Sequence, residues 1–326
     1  MAPLCEAVAA EYAHRDEKTS RTVYRGVVDP QWTVLTVPQG GYVFGLVVES
    51  GIVHQAATRH PDPIHVTVHF LKSAMTGPYE VHLKDLKVGR DFTHLSAAFV
   101  QDNEERIIAQ MVFGKLVVPD ESLGRPPMAL ASSSPYAAHT PMYTHPAQCP
   151  EQPTFKQVRW TYKDKLHIKS DPVYVKERET PQRGLRWGDY VTLLDEREQL
   201  RPSMLPFFAD CFVSYPAKLP VLKDWNIWLP TMVMTIEFKA PVPKPTDPHL
   251  SSRRLAVYTQ SKFINEPGAR HDAYIEVWTA PPDDVDTTGD GWKAHQRCLA
   301  VSTQMALVVP ASVNYKKGEA AAKGRL

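Results

Sequence analysis

The same series of landmarks occurs twice along this chain, and a sequence that repeats itself is expected to fold as two like units. The first half contains DPIHVTVHFLKSA and the second LPTMVMTIEFKAP. With Phe70 set against Phe238, each reads as an alternating strand ending in Phe, with Lys soon after. A Gly-Arg signal follows in each half, Gly89-Arg90 in one and Gly268-Ala269-Arg270 in the other. Both halves then close on Leu-Val-Val-Pro, at Leu116–Pro119 and at Leu307–Pro310. Duplication is the simplest account of landmarks that recur in the same order. The halves are joined by a stretch from Val117 to Thr154 that holds eight prolines, a density that neither helix nor ladder tolerates. The expected division is residues 1–116, a linker wrapped over the surface at 117–154, and residues 155–326.

Ahead of each alternating strand lies one helical candidate. In the first half it follows Gly40-Gly41 and runs to about Ala57; it is apolar nearly all round and so should be buried. In the second half it starts near Pro202, a good first-turn residue, and carries Leu205, Phe208 and Phe212 as a buried stripe. Each half thus reads as a strand, a buried helix and about four antiparallel strands. The fold class expected is α+β, a double hot-dog in which two antiparallel sheets each wrap around one central helix.

Composition narrows the partners. With 37 basic and 36 acidic residues the formal charge is +1, which gives no electrostatic reason to expect nucleic acid or an anionic membrane, although a local cluster could still meet a small ligand's phosphates. Cys5, Cys149, Cys211 and Cys298 form no CxxC pair, so a disulfide scaffold or zinc ribbon is not expected and a reducing compartment fits better. The first residues lack the apolar core of a signal peptide, and no apolar run approaches the ~20 residues of a membrane span. The expected location is cytoplasmic. The final Gly-Arg-Leu only loosely resembles a peroxisomal tripeptide, and the last residues read as a frayed tail.

The stretches VPQGGYVFGLVV, HPDPIHVTVHFL and GPYEVHLKDLKVGRDFTHLSAAFVQD resemble the first half of the double hot-dog acyl-CoA thioesterases related to bacterial thioesterase II, and above all their fungal thioesterase-like branch. The resemblance covers about residues 20–310 without the linker; the order of several weak motifs carries it. It implies a catalytic Asp on the second-half helix, a Thr on the next strand and a Gln on the last strand. Asp210 in LPFFADCF, Thr231 in LPTMVMTIEF and Gln304 in LAVSTQMALV fill those places. The repeat sets Pro63 against Thr231 and Phe113 against Gln304, so one active site per chain is expected. The resemblance further implies an oxyanion site at a helix N-terminus of the paired half, matched by Gly40, Gly41 and Tyr42. No cofactor is implied, the substrate is an acyl thioester of coenzyme A or a carrier, and a homo-oligomer is possible.

Thioester hydrolysis needs a positioned water, a group to take its proton and donors for the oxyanion. Asp210 suits the base, with Thr231 and Gln304 able to hold the water. Two other readings remain open at this point: a hot-dog enzyme of dehydration, isomerisation or cyclisation, and a non-catalytic acyl-binding protein. The first draws on His54, His65 and His69, expected near the cleft, where a histidine would suit proton shuttling. His60, His65 and His69 lack a spaced carboxylate or Cys to close a metal site, and Cys211 reads as packing rather than nucleophile. No G-x-S-x-G elbow, P-loop or G-x-G-x-x-G occurs, which speaks against α/β-hydrolase and nucleotide chemistry. Trp225, Trp228, Trp278 and Trp292 are candidates for an acyl pocket, with core packing as their default role.

Overall fold

The computed structural model describes residues 2–116, 134–151, 159–179, 185–212, 226–263, 270–283 and 289–323. The second Gly-Arg signal at Gly268, the indole of Trp225 and the terminal tripeptide lie outside these residues, as does much of the linker.

The first half runs through α1 (Leu4–Ala7), β1 (Glu11–Asp16), β2 (Arg21–Val28), the short pair β3 (Thr33–Val34) and β4 (Val37–Pro38), and α2 (Gly40–Gln55). It continues with β5 (Asp62–Phe70), β6 (Gly77–Val88), β7 (Thr93–Gln101) and β8 (Glu104–Gly114). The second half has β9 (Leu166–Ser170), α3 (Pro172–Glu177), β10 (Leu185–Leu193), α4 (Leu205–Ala209), β11 (Ile227–Trp228) and β12 (Thr231–Phe238). It ends with β13 (Arg254–Phe263), β14 (His271–Thr279), β15 (Cys298–Ala306), β16 (Val309–Pro310) and α5 (Ala311–Lys323).

The expectation of two sheets is corrected. β5 and β12 pair antiparallel, edge to edge, and fuse the halves into one 12-stranded sheet of order β1-β2-β6-β7-β8-β5-β12-β15-β14-β13-β10-β9. Pairing removes two exposed sheet edges whose backbone groups would otherwise need water or another chain. The order is symmetric about this junction once β1, β2, β5, β6, β7 and β8 are set against β9, β10, β12, β13, β14 and β15. Thr67 lies opposite Thr235 at the junction, and these are the residues made equivalent by setting Phe70 against Phe238.

Helix α2 is buried along most of its length, from Gly41 through Gly51, as an all-round apolar helix must be. It ends at Gln55, two residues short of the expected Ala57, and the Gln39 side chain caps its start by accepting from Tyr42 N at 2.6 Å. The second-half helix is shorter than expected. A 3₁₀ turn at Pro202–Met204 leads into α4, which stops at Ala209, with Asp210 as its C-cap in a non-helical conformation. Leu205, Phe208 and Phe212 are buried as the stripe requires. Among the described residues the second half therefore has no long central helix, and α2 is the main helix of a core shared by both halves.

The two helices meet through glycine. A Cβ on Gly41 would lie 2.2 Å from Pro206 O, and one on Gly45 2.4 Å from Ser203 O. Only the absence of both lets the Ser203–Asp210 backbone lie directly on the first turns of α2.

Part of the linker is a packed layer. Residues 134–151 lie against β10, β13 and β14, where Met142, Cys149, Tyr190, Trp278 and Trp292 form a second, smaller core. Asp171 pins this layer by accepting from Tyr143 N at 2.7 Å and Thr144 N at 2.9 Å. Trp278 and Trp292 thus take their default role and do not line the cavity described next. The C-terminal residues are also corrected: Ala311–Lys323 form a helix, whose signal was the run of good helix formers Glu319-Ala-Ala-Ala-Lys323.

Candidate active site

Asp210, Thr231 and Gln304 come from three separate elements and form one hydrogen-bonded chain. Thr231 Oγ1 donates to Gln304 Oε1 at 2.9 Å. Gln304 Nε2 in turn lies 3.4 Å from both Asp210 Oδ1 and Ala209 O. The other carboxylate oxygen, Asp210 Oδ2, accepts from Gly41 N at 2.9 Å.

Thr231 reaches this chain through an irregularity. Along β12, Met234, Ile236 and Phe238 are buried on the inner face, so strict alternation would turn Thr231 outward. The pairing with β15 slips between Thr231 and Val233: Val233 opposes Met305, and Thr231 opposes Ala306. A bulge of one residue at Met232 restores Thr231 to the inner face. Gln304 needs no such device, because Ser302, Gln304 and Ala306 are buried at alternate positions of β15.

The electrostatics of Asp210 follow from its position. Burial pushes its carboxyl up to about 6, opposed by the hydrogen bonds from Gly41 N and Gln304. The start of α2 adds a favourable field for negative charge. Asp210 still has some exposure, toward a cavity of about 570 Å³ that Gly40 and Thr231 also line. Its other walls include Val43, Phe70, Phe212 and Trp228, an apolar lining beside Asp210, with Lys72, Arg159 and Lys317 elsewhere in the wall.

The Gly40–Tyr42 turn is divided in its roles. Gly40 lines the cavity, and a Cβ there would lie 3.2 Å from Asp210 Oδ2. The Gly41 amide is engaged by Asp210. Tyr42 is turned away: its amide donates to Gln39 Oε1, and its fully buried hydroxyl donates to Ala7 O at 3.0 Å and accepts from Asp29 N. As an oxyanion or substrate contact Tyr42 is therefore not supported, because both its polar groups are used within the protein.

The histidines are corrected as well. His65 and His69 occupy outward positions of β5, alternating with buried Val66 and Val68. His54, in the last turn of α2, contacts Tyr24 and Asp85, and buried His60 is held between Thr93 Oγ1 and Arg90 O. Among the described residues no histidine lines the cavity, and no cluster of three metal-binding side chains occurs. Buried Cys211 has its thiol pushed far up by burial, which fits packing. Two contributors escaped sequence reasoning: Gln39, which caps α2 and lines the cavity, and α5, which supplies Val313 and Lys317 to its wall.

Comparison with known proteins bears on the fold and on the first half of the sequence. Residues 28–114 match the family model of the acyl-CoA thioesterase N-terminal domain. The chain superposes on a Thermobifida fusca structure provisionally classed as a thioesterase II, with TM-score 0.66 and 20% identity over 95% of this chain and 98% of the other. It likewise matches an acyl-CoA thioesterase II from Mycobacterium marinum, with TM-score 0.61 and 14% identity over 94% and 98% of the two chains. A sequence relative, the ustilagic acid biosynthesis cluster protein orf2 of Mycosarcoma maydis, is 29% identical over 101 residues. That match spans 30% of this chain and only 26% of the relative's length. The chain thus shares the fold of the thioesterase II structures, and residues 28–114 match an acyl-CoA thioesterase N-terminal domain, which supports a hydrolase.

Proposed function

We propose that this protein hydrolyses an acyl thioester of coenzyme A or of a carrier, with Asp210, Thr231 and Gln304 positioning the attacking water. The observation that carries this reading is a carboxylate raised to about 6, held by Gly41 N and Gln304 beside the apolar lining of a cavity. Such a carboxylate is ionised at neutral pH yet basic enough to take a proton from water. The Gln304 amide bridges Asp210 and Thr231 and fixes both acceptor directions. The Gly40 amide, at the start of α2 where no earlier turn supplies an acceptor, is the donor best placed for the oxyanion. Tetrahedral collapse then expels the thiolate, and the proton held on Asp210 can return to it.

The competing reading, proton-shuttling chemistry by cavity histidines, loses its carriers, since none of the histidines considered for it lines the cavity. The apolar walls favour an aliphatic acyl group. Thiol release from acyl-CoAs of graded chain length tests the function directly. Within that assay, Thr231→Val keeps the shape of the side chain and removes its donor to Gln304. Turnover is expected to fall about tenfold, the worth of roughly 1.4 kcal/mol of lost transition-state stabilisation. Equal turnover in wild type and Thr231→Val would exclude Thr231 from the water-binding set.

A further inference from the structure

The C-terminal helix is latched to the first half of the molecule. β16 pairs with β11, and Ala311 N donates to Asn226 O at 2.8 Å. Asn314 is fully buried; its Oδ1 accepts from Thr36 N at 3.1 Å and Thr36 Oγ1 at 2.8 Å, and its Nδ2 donates to Val34 O at 3.3 Å. One turn on, a Cβ at Gly318 would lie 2.5 Å from the Thr36 side chain, so the helix rests on that residue with nothing between. This latch turns Val313 and Lys317 toward the cavity.

Lys317 is an unusual group to hold there. Its Nζ donates to Ser73 Oγ at 2.9 Å and lies 4.9 Å from the ring centre of Trp228. It is partly buried, burial lowers its pKa, and no neighbouring charge opposes that shift. Arg159, also in the cavity wall, donates to Tyr315 Oη of the same helix at 2.7 Å and lies 3.4 Å from Asn226 Oδ1. Among the described residues neither cation meets a carboxylate, whereas Lys72 at the same rim is paired with Glu104. Two positive charges from distant parts of the chain are thus set into one wall with only neutral partners. In a chain of net charge +1 this is local placement, not a general surplus.

We propose that Lys317 and Arg159 form an anion subsite that binds a phosphate of the thioester's carrier group while the acyl carbonyl reaches Asp210. The ammonium supplies a compact charge and the guanidinium a planar fork, a pairing suited to phosphate oxygens. The subsite rests on the hydrolytic reading for the identity of its ligand. The phosphate has two sources, the nucleotide end of coenzyme A and the phosphopantetheine arm that coenzyme A shares with carrier proteins.

The test compares wild type with Lys317→Gln/Arg159→Gln on one acyl group carried by coenzyme A, by phosphopantetheine and by phosphate-free pantetheine. The ratio of kcat/KM for acyl-CoA over acyl-pantetheine is expected to fall tenfold or more, through KM, with a weaker dependence on salt. A fall for acyl-phosphopantetheine as well assigns the pantetheine phosphate; a fall for acyl-CoA alone assigns the nucleotide phosphates. An unchanged ratio, or an equal rise in KM for the phosphate-free thioester, would overturn the proposal. Calorimetric binding of desulfo-CoA, which cannot be hydrolysed, reads the subsite independently of catalysis. Weaker binding by the variant with no hydrolysis by wild type would end the hydrolytic reading and keep the subsite. Normal hydrolysis with equal desulfo-CoA affinity would do the reverse. Matching melting temperatures establish that the variant is folded.

Discussion

Replacing Asp210 with Asn is expected to lower thioester turnover by roughly 10²–10⁴, the usual worth of a positioned general base. Asn keeps the volume and an acceptor for Gly41 N, but it has neither charge nor basicity. The pH dependence follows from the carboxyl raised to about 6 by burial. Wild-type turnover should rise through pH 6 as the group ionises, and that inflection should vanish in the variant. Stability responds in the opposite sense. The folded protein holds this proton more tightly than the unfolded chain, whose carboxyl titrates near 3.8. Below that value both states are protonated and the group makes no difference. As pH rises from about 4 to about 6, ionisation in the buried site costs the native state on the order of 3 kcal/mol, at about 1.4 kcal/mol per unit. Asp210→Asn removes that cost, so its melting temperature at pH 7 should equal or exceed wild type and vary less across this window. Thiol release and thermal melting on the same preparation check both statements. Unchanged turnover with a lower melting temperature would make Asp210 a structural residue.

The second large effect is expected at Gly41. A methyl group there would lie 2.2 Å from Pro206 O and 2.7 Å from Asp210 Cβ, and a backbone carbonyl cannot swing aside as a flexible side-chain end can. Gly41→Ala should therefore force α2 and the Ser203–Asp210 segment apart, destabilising the fold by about 1–3 kcal/mol. The same displacement lengthens the Gly41–Asp210 hydrogen bond, so turnover should drop at least tenfold at temperatures where the variant is still folded. Gly40→Ala provides the contrast: its methyl would meet Asp210 Oδ2 at 3.2 Å and Phe70 Cζ at 3.7 Å, a tight but side-chain-only contact. A smaller loss of melting temperature is expected there. A Gly41→Ala protein that melts and turns over like wild type would refute the role assigned to the helix contact.

What the sequence by itself determined is what short-range pattern encodes. Alternation of apolar residues marked β5 and β12, the all-round apolar run after Gly41 marked α2, and recurring landmarks marked two equivalent halves. The resemblance to the double hot-dog thioesterases picked out Asp210, Thr231 and Gln304, which the fold brings into one hydrogen-bonded chain. Tertiary structure decided the rest, because it depends on partners far away in the chain. Whether two sheets stay separate or fuse is settled where β5 meets β12, and each strand's own pattern is satisfied either way. The side of the sheet on which Thr231 lies depends on a bulge at Met232, which strict alternation would read the wrong way. Tyr42, next to Gly40 and Gly41 in sequence, is turned away from the cavity by its bonds to Gln39 and Ala7. The outward turn of His65 and His69 follows from Val66 and Val68 facing the core. The C-terminal helix became a cavity wall only because Asn314 found Thr36, 278 residues earlier. Such contacts have no local signature; their energy exists only once both surfaces have formed.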